Sequence, residues 1–148
     1  MAKSTIPGAN NLVLKPAVHT ELEALGTPRN FRRGAIIFAE GESPRGIFVI
    51  KKGKVHLQLH HDSGQLANIR EVGPGGVIGL PAVLGNRPYS LTAQTQETTD
   101  TIFIARQNLL EFLRDNPSIC LQLLGTLSAE VSSMRGLMAH PKKPPKSN

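Results

Sequence analysis

Between Asn30 and Arg106 the chain carries six short β-rich runs, each bounded by Gly, Pro or Asn/Asp clusters, and this rhythm constrains the fold more than any other feature. The runs are Ala35–Glu40, Gly46–Lys51, Lys54–His61, Leu66–Val72, Tyr89–Gln96 and Thr99–Ala105. Many short strands at close, regular spacing imply an all-β sandwich or a barrel-like roll. Alternation supports this: Val55, Leu57 and Leu59 point one way along their run, and His56, Gln58 and His60 point the other. Lys51-Lys52-Gly53-Lys54 and His61-Asp62-Ser63-Gly64 have the composition of hairpin turns. The middle of the chain is therefore expected to be a β meander with one wet face.

Helical periodicity flanks this region on both sides. Leu14, Val18, Leu22 and Leu25 share one face of a short helix that Gly26-Thr27-Pro28 stops. After Ala105, a run from Gln107 to Asp115 carries Leu109, Leu110, Phe112 and Leu113 and is broken at Asn116-Pro117. Asn116 suits an N-cap and Pro117 the first position of a second helix, reaching about Met138. Within that helix Cys120, Leu124, Leu127, Val131, Met134 and Met138 form a heptad seam, while Ile119, Leu123 and Leu137 lie on its flank. One helix with two apolar faces is expected to touch its own β domain and a second copy of itself, in a parallel homodimer. The division predicted is a flexible lead over 1–13, a sensor-type domain with its dimerisation helix over 14–139, and a basic Pro-rich tail over 140–148.

The chain has 148 residues, 39% of them hydrophobic, with no Trp and a single Cys, so one core built from Val, Ile and Leu is expected. One Cys excludes an intrachain disulfide and any cluster needing several thiolates from one chain. No apolar run approaches the roughly 20 residues that span a bilayer, and the first residues lack a secretory h-region. A cytoplasmic protein with no membrane partner is expected. The net charge is +6, and Lys142, Lys143 and Lys146 supply half of that excess from the tail. Such a tail reads as a solvated segment rather than a nucleic-acid footprint.

Three blocks carry a family resemblance. Phe31-Arg32-Arg33-Gly34 leading through Ile37, Phe38 and Glu40-Gly41 resembles the opening signature of cyclic-nucleotide-binding domains of the Crp/Fnr regulator superfamily. Gly46-Ile47-Phe48-Val49-Ile50 with Gly53, and Val72-Gly73-Pro74-Gly75-Gly76-Val77-Ile78-Gly79, are similar to its next strand and to the approach to its phosphate-binding cassette. The resemblance covers about residues 14–138. It implies a mainly β fold, a β-roll of double-stranded β-helix or jelly-roll type with an N-terminal helix and two C-terminal helices. It also implies non-catalytic sensing of a small molecule held between the roll and the long C-terminal helix. Gly79, Leu80, Pro81 and Ala82 would give backbone contacts, Tyr89, Ser90 and Arg87 polar ones, and Met134 and Arg135 would close over the far end.

The family cassette has a Glu after its Gly and an Arg ahead of a Ser or Thr; here Leu80 and Tyr89 occupy those positions. Truncating a buried charge-assisted pair costs roughly 2–5 kcal/mol, so tight binding of the cofactor-like ligands cyclic AMP or cyclic GMP is not expected. Arg87, two residues before Tyr89 on an extended strand, is the candidate substitute. A less charged ligand fits better, and a ligand-free scaffold that dimerises or docks to a separate protein partner is the competing reading.

Other chemistry has less support. His56 and His60 share a polar face, but Glu71, the one carboxylate on the next run, is separated from them by a turn, so a metal-dependent β-roll enzyme ranks third. His19 reads as a surface residue of the first helix. In Crp/Fnr regulators a helix-turn-helix unit follows the dimerisation helix; here a Pro-Lys tail follows, so direct sequence-specific DNA binding is not expected.

Overall fold

The structure, a computed structural model, describes residues 12–13 and 16–123. Nine strands occur among these residues, in two antiparallel sheets, with helices gathered on one side. The first sheet has the order β1 (Leu12–Val13), β7 (Gly76–Ile78), β4 (Gly46–Lys52), β9 (Thr99–Ala105) and β2 (Thr27–Phe31). The second runs β3 (Ile36–Phe38), β8 (Thr92–Thr95), β5 (Val55–His60) and β6 (Leu66–Val72). The helices are α1 (Pro16–Glu23), α2 (Leu80–Gly85) and α3 (Arg106–Asp115), followed by helical residues 117–123. This is the mainly β roll with flanking helices that the sequence implies.

The central strand β4 has two apolar faces, and these divide the core. Ile47, Val49 and Ile104 pack with Val18 and Leu22 of α1, Leu109 and Leu113 of α3, and Leu123. Phe48 and Ile50, their neighbours along β4, point into the roll against Phe38, Val55, Leu57 and Tyr89. Continuous burial from Gly46 to Ile50 is therefore what a strand covered on both faces requires.

Three strands escape the reading of the runs. β2 is exposed over four of its five residues and contains a Pro, so it carries no apolar pattern; it is fixed by pairing with β9, Thr27 opposite Phe103 and Phe31 opposite Thr99. β7 lies in the Gly-rich block. β1 pairs Leu12 with Val77, which brings the last two residues of the expected flexible lead onto a sheet edge. The run Tyr89–Gln96 is strand only from Thr92; Arg87 to Tyr89 is irregular. Asn116 directly precedes the helical residues 117–123, as expected of an N-cap, but its side chain turns back to α3. Its side-chain Nδ2 donates to Phe112 O at 2.8 Å and closes α3, while its carbonyl accepts from Ile119 and Cys120 at the start of the next helical turn.

Candidate functional site

The elements of the second sheet and α2 enclose a cavity of about 40 Å³. One row of side chains crosses all four strands of that sheet and forms its floor. Phe38 opposes Ala93, Ala93 opposes Leu57, and Leu57 opposes Arg70. Gly79, Pro81 and Ala82 close one side, and Tyr89, Ser90 and Leu91 another. The volume is on the order of a few waters, since a single water needs roughly 10–15 Å³; drug-sized ligands occupy roughly 300–1,000 Å³.

Gly79 leads into α2 with φ +91°, and a side chain there would crowd Gly46 O and the Tyr89 ring. Pro81 follows one residue into the helix and has no N–H to offer. Leu80 turns away from the cavity and is buried, 2% exposed, in the cluster between the first sheet and the helices. Its side chain is thus no part of the cavity lining, because the first turn of α2 points it to the opposite side.

Tyr89, which the sequence resemblance sets against the family's phosphate Arg, has its polar end committed. The hydroxyl donates to Gly46 O at 2.6 Å and accepts from Gly46 N–H at 3.2 Å. The ring stacks on Phe38 with centroids 3.9 Å apart and planes 11° from parallel. Burial raises the phenol above its ordinary pKa of 10.0, opposed by the hydrogen bond to Gly46 and by the charge of Arg45. Tyr89 therefore locks the segment after α2 to the start of β4 as a neutral residue.

Arg87 does not reach the cavity. Asn86 ends α2 in the left-handed region at φ 53°, the Arg87 N–H turns back to Ala82 O, and the exposed Arg87 side chain runs along Gly85. The expected same-side pairing with Tyr89 fails because no strand spans these residues. Met134 and Arg135 lie outside the described residues, as do Leu124, Leu127, Val131 and Met138 of the seam. Cys120 is described, and it packs partly buried against the same core as Ile119 and Leu123.

The histidines are held by carboxylates. Register sets His56 directly across from Glu71, so the turn joins this pair rather than separating it, and Nε2 lies 3.1 Å from Oε1. His60 Nδ1 is 3.0 Å from Glu40 Oε1. Among the described residues no group of three His, Cys, Asp or Glu side chains is placed to hold a metal ion.

The residue that sequence reasoning missed is Arg70. Alternation back from the buried Val72 puts Arg70 on the inward face, opposite Leu57. The register shifts between Leu57 and Gln58, so that Asn68 opposes Gln58 and Ile69 is left between the two pairs. Such a bulge lets Ile69 pack on the same side as Arg70. Among the described residues Arg70 is the one charged residue lining the cavity, and its Nε and Nη2 are buried. The available signal was an Arg amid a run otherwise readable as a half-buried strand.

A two-sheet roll with a Gly-led short helix over its cavity is the fold of the cyclic nucleotide-binding class. Residues 28–116 match the cyclic nucleotide-binding domain, and the chain belongs to that family. It is 27% identical over 115 residues to the CRP-like cAMP-activated global transcriptional regulator of Mycobacterium tuberculosis, covering 78% of this chain and 51% of that protein. It is 27% identical over 100 residues to the cyclic AMP receptor protein of Thermus thermophilus, covering 68% and 46%. The chain thus spans about half the length of these curated relatives. The crystal structure of the Thermus thermophilus catabolite activator protein shares the fold, with a TM-score of 0.76 at 23% identity over 84% of this chain and 59% of that one. No helix among the described residues is long and apolar enough to cross a membrane.

Proposed function

We propose that this chain is a non-catalytic regulatory sensor domain whose phosphate cassette is degenerate, so that it does not hold cyclic AMP or cyclic GMP tightly. The observation that carries the reading is Tyr89. At the family's Arg position the side chain is neutral, is stacked on Phe38, and spends its hydroxyl on Gly46. Pro81 removes a backbone donor beside it, and Leu80, at the Glu position, is part of the core. With no charge at position 89 and one backbone donor fewer in α2, a phosphate held there would lose compensation worth several kcal/mol.

In this reading a smaller, less charged molecule enters between the roll and the chain that follows α3, and the packing of that chain reports occupancy. Cys120, Leu124, Leu127, Val131, Met134 and Met138 supply a homodimer seam, with Met134 and Arg135 over the ligand. The output passes to a separate protein partner in the cytoplasm, with no direct sequence-specific DNA contact. A ligand-free docking scaffold is the second reading, favoured by the small cavity volume.

The test is a titration with cyclic AMP and cyclic GMP, read by calorimetry and thermal shift together. No binding up to millimolar nucleotide is expected. Micromolar binding overturns the degenerate cassette.

A further inference from the structure

We propose that Arg70 guards the open edge of the second sheet: by pointing a charge inward from β6, it keeps a second copy of this chain from adding its own β6 alongside. This role is independent of any ligand in the cavity.

Among the described residues the two sheets end in four edge strands, β1 and β2 in the first and β3 and β6 in the second. An unpaired edge is a template for another strand, and short length, Pro, bulges and inward charges are what blunt it. β1 has two residues, and β3 has three with a register shift between Ile36 and Phe38. β2 carries Pro28, which has no N–H to donate. β6 is the longest of the four, seven residues from Leu66 to Val72, and contains no Pro.

Two features of β6 take their place. Ile69 is the extra residue of a bulge, which interrupts the regular row of N–H and C=O groups that an incoming strand would have to match. Arg70 lies on the inner face opposite Leu57, where it lines the cavity with Nε and Nη2 buried. Glu71, the other charge of the strand, stands across from His56 on the outer face and is bonded to it. Apart from Arg70, the residues of β6 that pack inward are Ile69 and Val72, both apolar and β-favouring. Leu66, at the start of the strand, is 48% exposed.

A second copy is the partner this edge excludes. Antiparallel pairing of two identical strands relates them by a two-fold axis normal to the sheet, so both inner faces lie on the same side. Two Arg70 side chains would then share one face of a continuous sheet, close to the joint. Like charges facing each other across a strand pair are destabilising, and covering them adds a desolvation cost. The guanidinium is not free; a bonded one is still a charge that an added strand would cover and set beside its twin.

The experiment compares the full chain with Arg70→Leu, Arg70→Lys and Leu57→Ala, without ligand, over a hundred-fold range of protein concentration. Light scattering after gel filtration gives mass, circular dichroism gives folding, and hydrogen exchange read by mass spectrometry gives location. Arg70→Leu is expected to stay folded and to exceed the wild-type mass, increasingly so with concentration. In its associated form the amides of residues 66–72 should exchange roughly ten-fold or more slowly than in wild type, with those of β2 unchanged. Arg70→Lys keeps the inward charge, and Leu57→Ala loosens the same layer from β5 without removing it. Both are expected to keep the wild-type mass. If Arg70→Leu does not fold, Arg70→Thr, neutral and β-favouring, carries the test with the same expectations.

A folded neutral variant at the wild-type mass throughout overturns the assignment. So does association that leaves the β6 amides exchanging as in wild type. Equal association of Arg70→Lys or Leu57→Ala overturns it too, because general loosening rather than a lost edge charge would then be the cause.

Discussion

Tyr89 Oη lies 2.6 Å from Gly46 O and 3.2 Å from Gly46 N, so one phenol satisfies both backbone groups of the first residue of β4. The two residues are 43 positions apart in sequence, and their contact ties the segment following α2 to the central sheet. Removing the hydroxyl leaves a buried N–H and a buried C=O without this partner. Tyr89→Phe is therefore expected to lower the unfolding free energy by about 1–3 kcal/mol. Chemical denaturation checks the loss, and cyclic AMP affinity is expected to stay unchanged.

The same phenol gives a pH prediction. Tyr89 is the single Tyr of the chain, so tyrosinate absorbance reports it alone. Burial raises its pKa above 10.0 in the folded state, so the native protein keeps the proton more tightly than the unfolded chain. Stability from this group is fully present below pH 10 and is lost as pH climbs through the raised value. The absorbance titration is expected to begin later in native protein than in denaturant. Stability of Tyr89→Phe should fall less between pH 10 and the end of that titration. Superimposable native and denatured curves would overturn the buried, hydrogen-bonded assignment.

Gly46 carries the other half of the relationship. A Cβ there would overlap Ile104 O and the Phe103 ring, in strand β9 alongside. Gly46→Ala is expected to cost about 1–3 kcal/mol through overpacking. Comparison with Gly34→Ala sharpens the measurement, because Gly34 has no neighbour within 4 Å and fails only through its φ of +82°. Tyrosine fluorescence should change in the first variant and not in the second.

Apolar alternation made most of the roll legible: the runs at β6 and β9 have the bounds read from the pattern, and β3, β4 and β5 differ by a residue or two at their ends. What the pattern did not carry were β1, β2 and β7. Each is short, Gly-rich or exposed, and each is fixed by partners distant in sequence. At the site, Gly79, Pro81, Ala82, Tyr89 and Ser90 are brought together as the family resemblance implied. The Arg87 and Leu80 side chains are not: Arg87 follows the left-handed Asn86 that ends α2, and Leu80 opens α2 on the side facing the helix-side core. Arg70 shares the face of the buried Val72 by plain alternation; what the pattern did not show is the one-residue bulge that lets Ile69 pack on that side as well.

Leu80 tests the proposed degenerate cassette. It is 2% exposed and packs with the residues under α1 and α3. Leu80→Glu, which restores the family residue, places a carboxylate among apolar side chains. A loss of about 2–5 kcal/mol is expected, the range for a deleted core Leu, with the charge adding to it. Thermal unfolding checks this. A variant as stable as wild type, with new affinity for cyclic AMP, would show that the side chain swings into the cavity instead.

Leu121 and Leu123, two positions apart on the helical residues 117–123, distinguish intrachain packing from self-association. Leu123 is 1% exposed against the helix-side core, whereas Leu121 is 70% exposed. Leu123→Ala is expected to cost about 2–5 kcal/mol at any protein concentration, because the cavity it leaves is within the chain. Leu121→Ala should change the stability of the monomer by no more than about 0.5 kcal/mol, as a surface substitution does. Denaturation of both variants over a hundred-fold range of protein concentration checks the pair. A concentration-dependent loss for Leu121→Ala would place that residue in contact with a second copy, since only association makes stability depend on concentration. Equal, concentration-independent losses would instead mean that the helix is rolled relative to the sheet, and that Leu121 too is covered by its own chain.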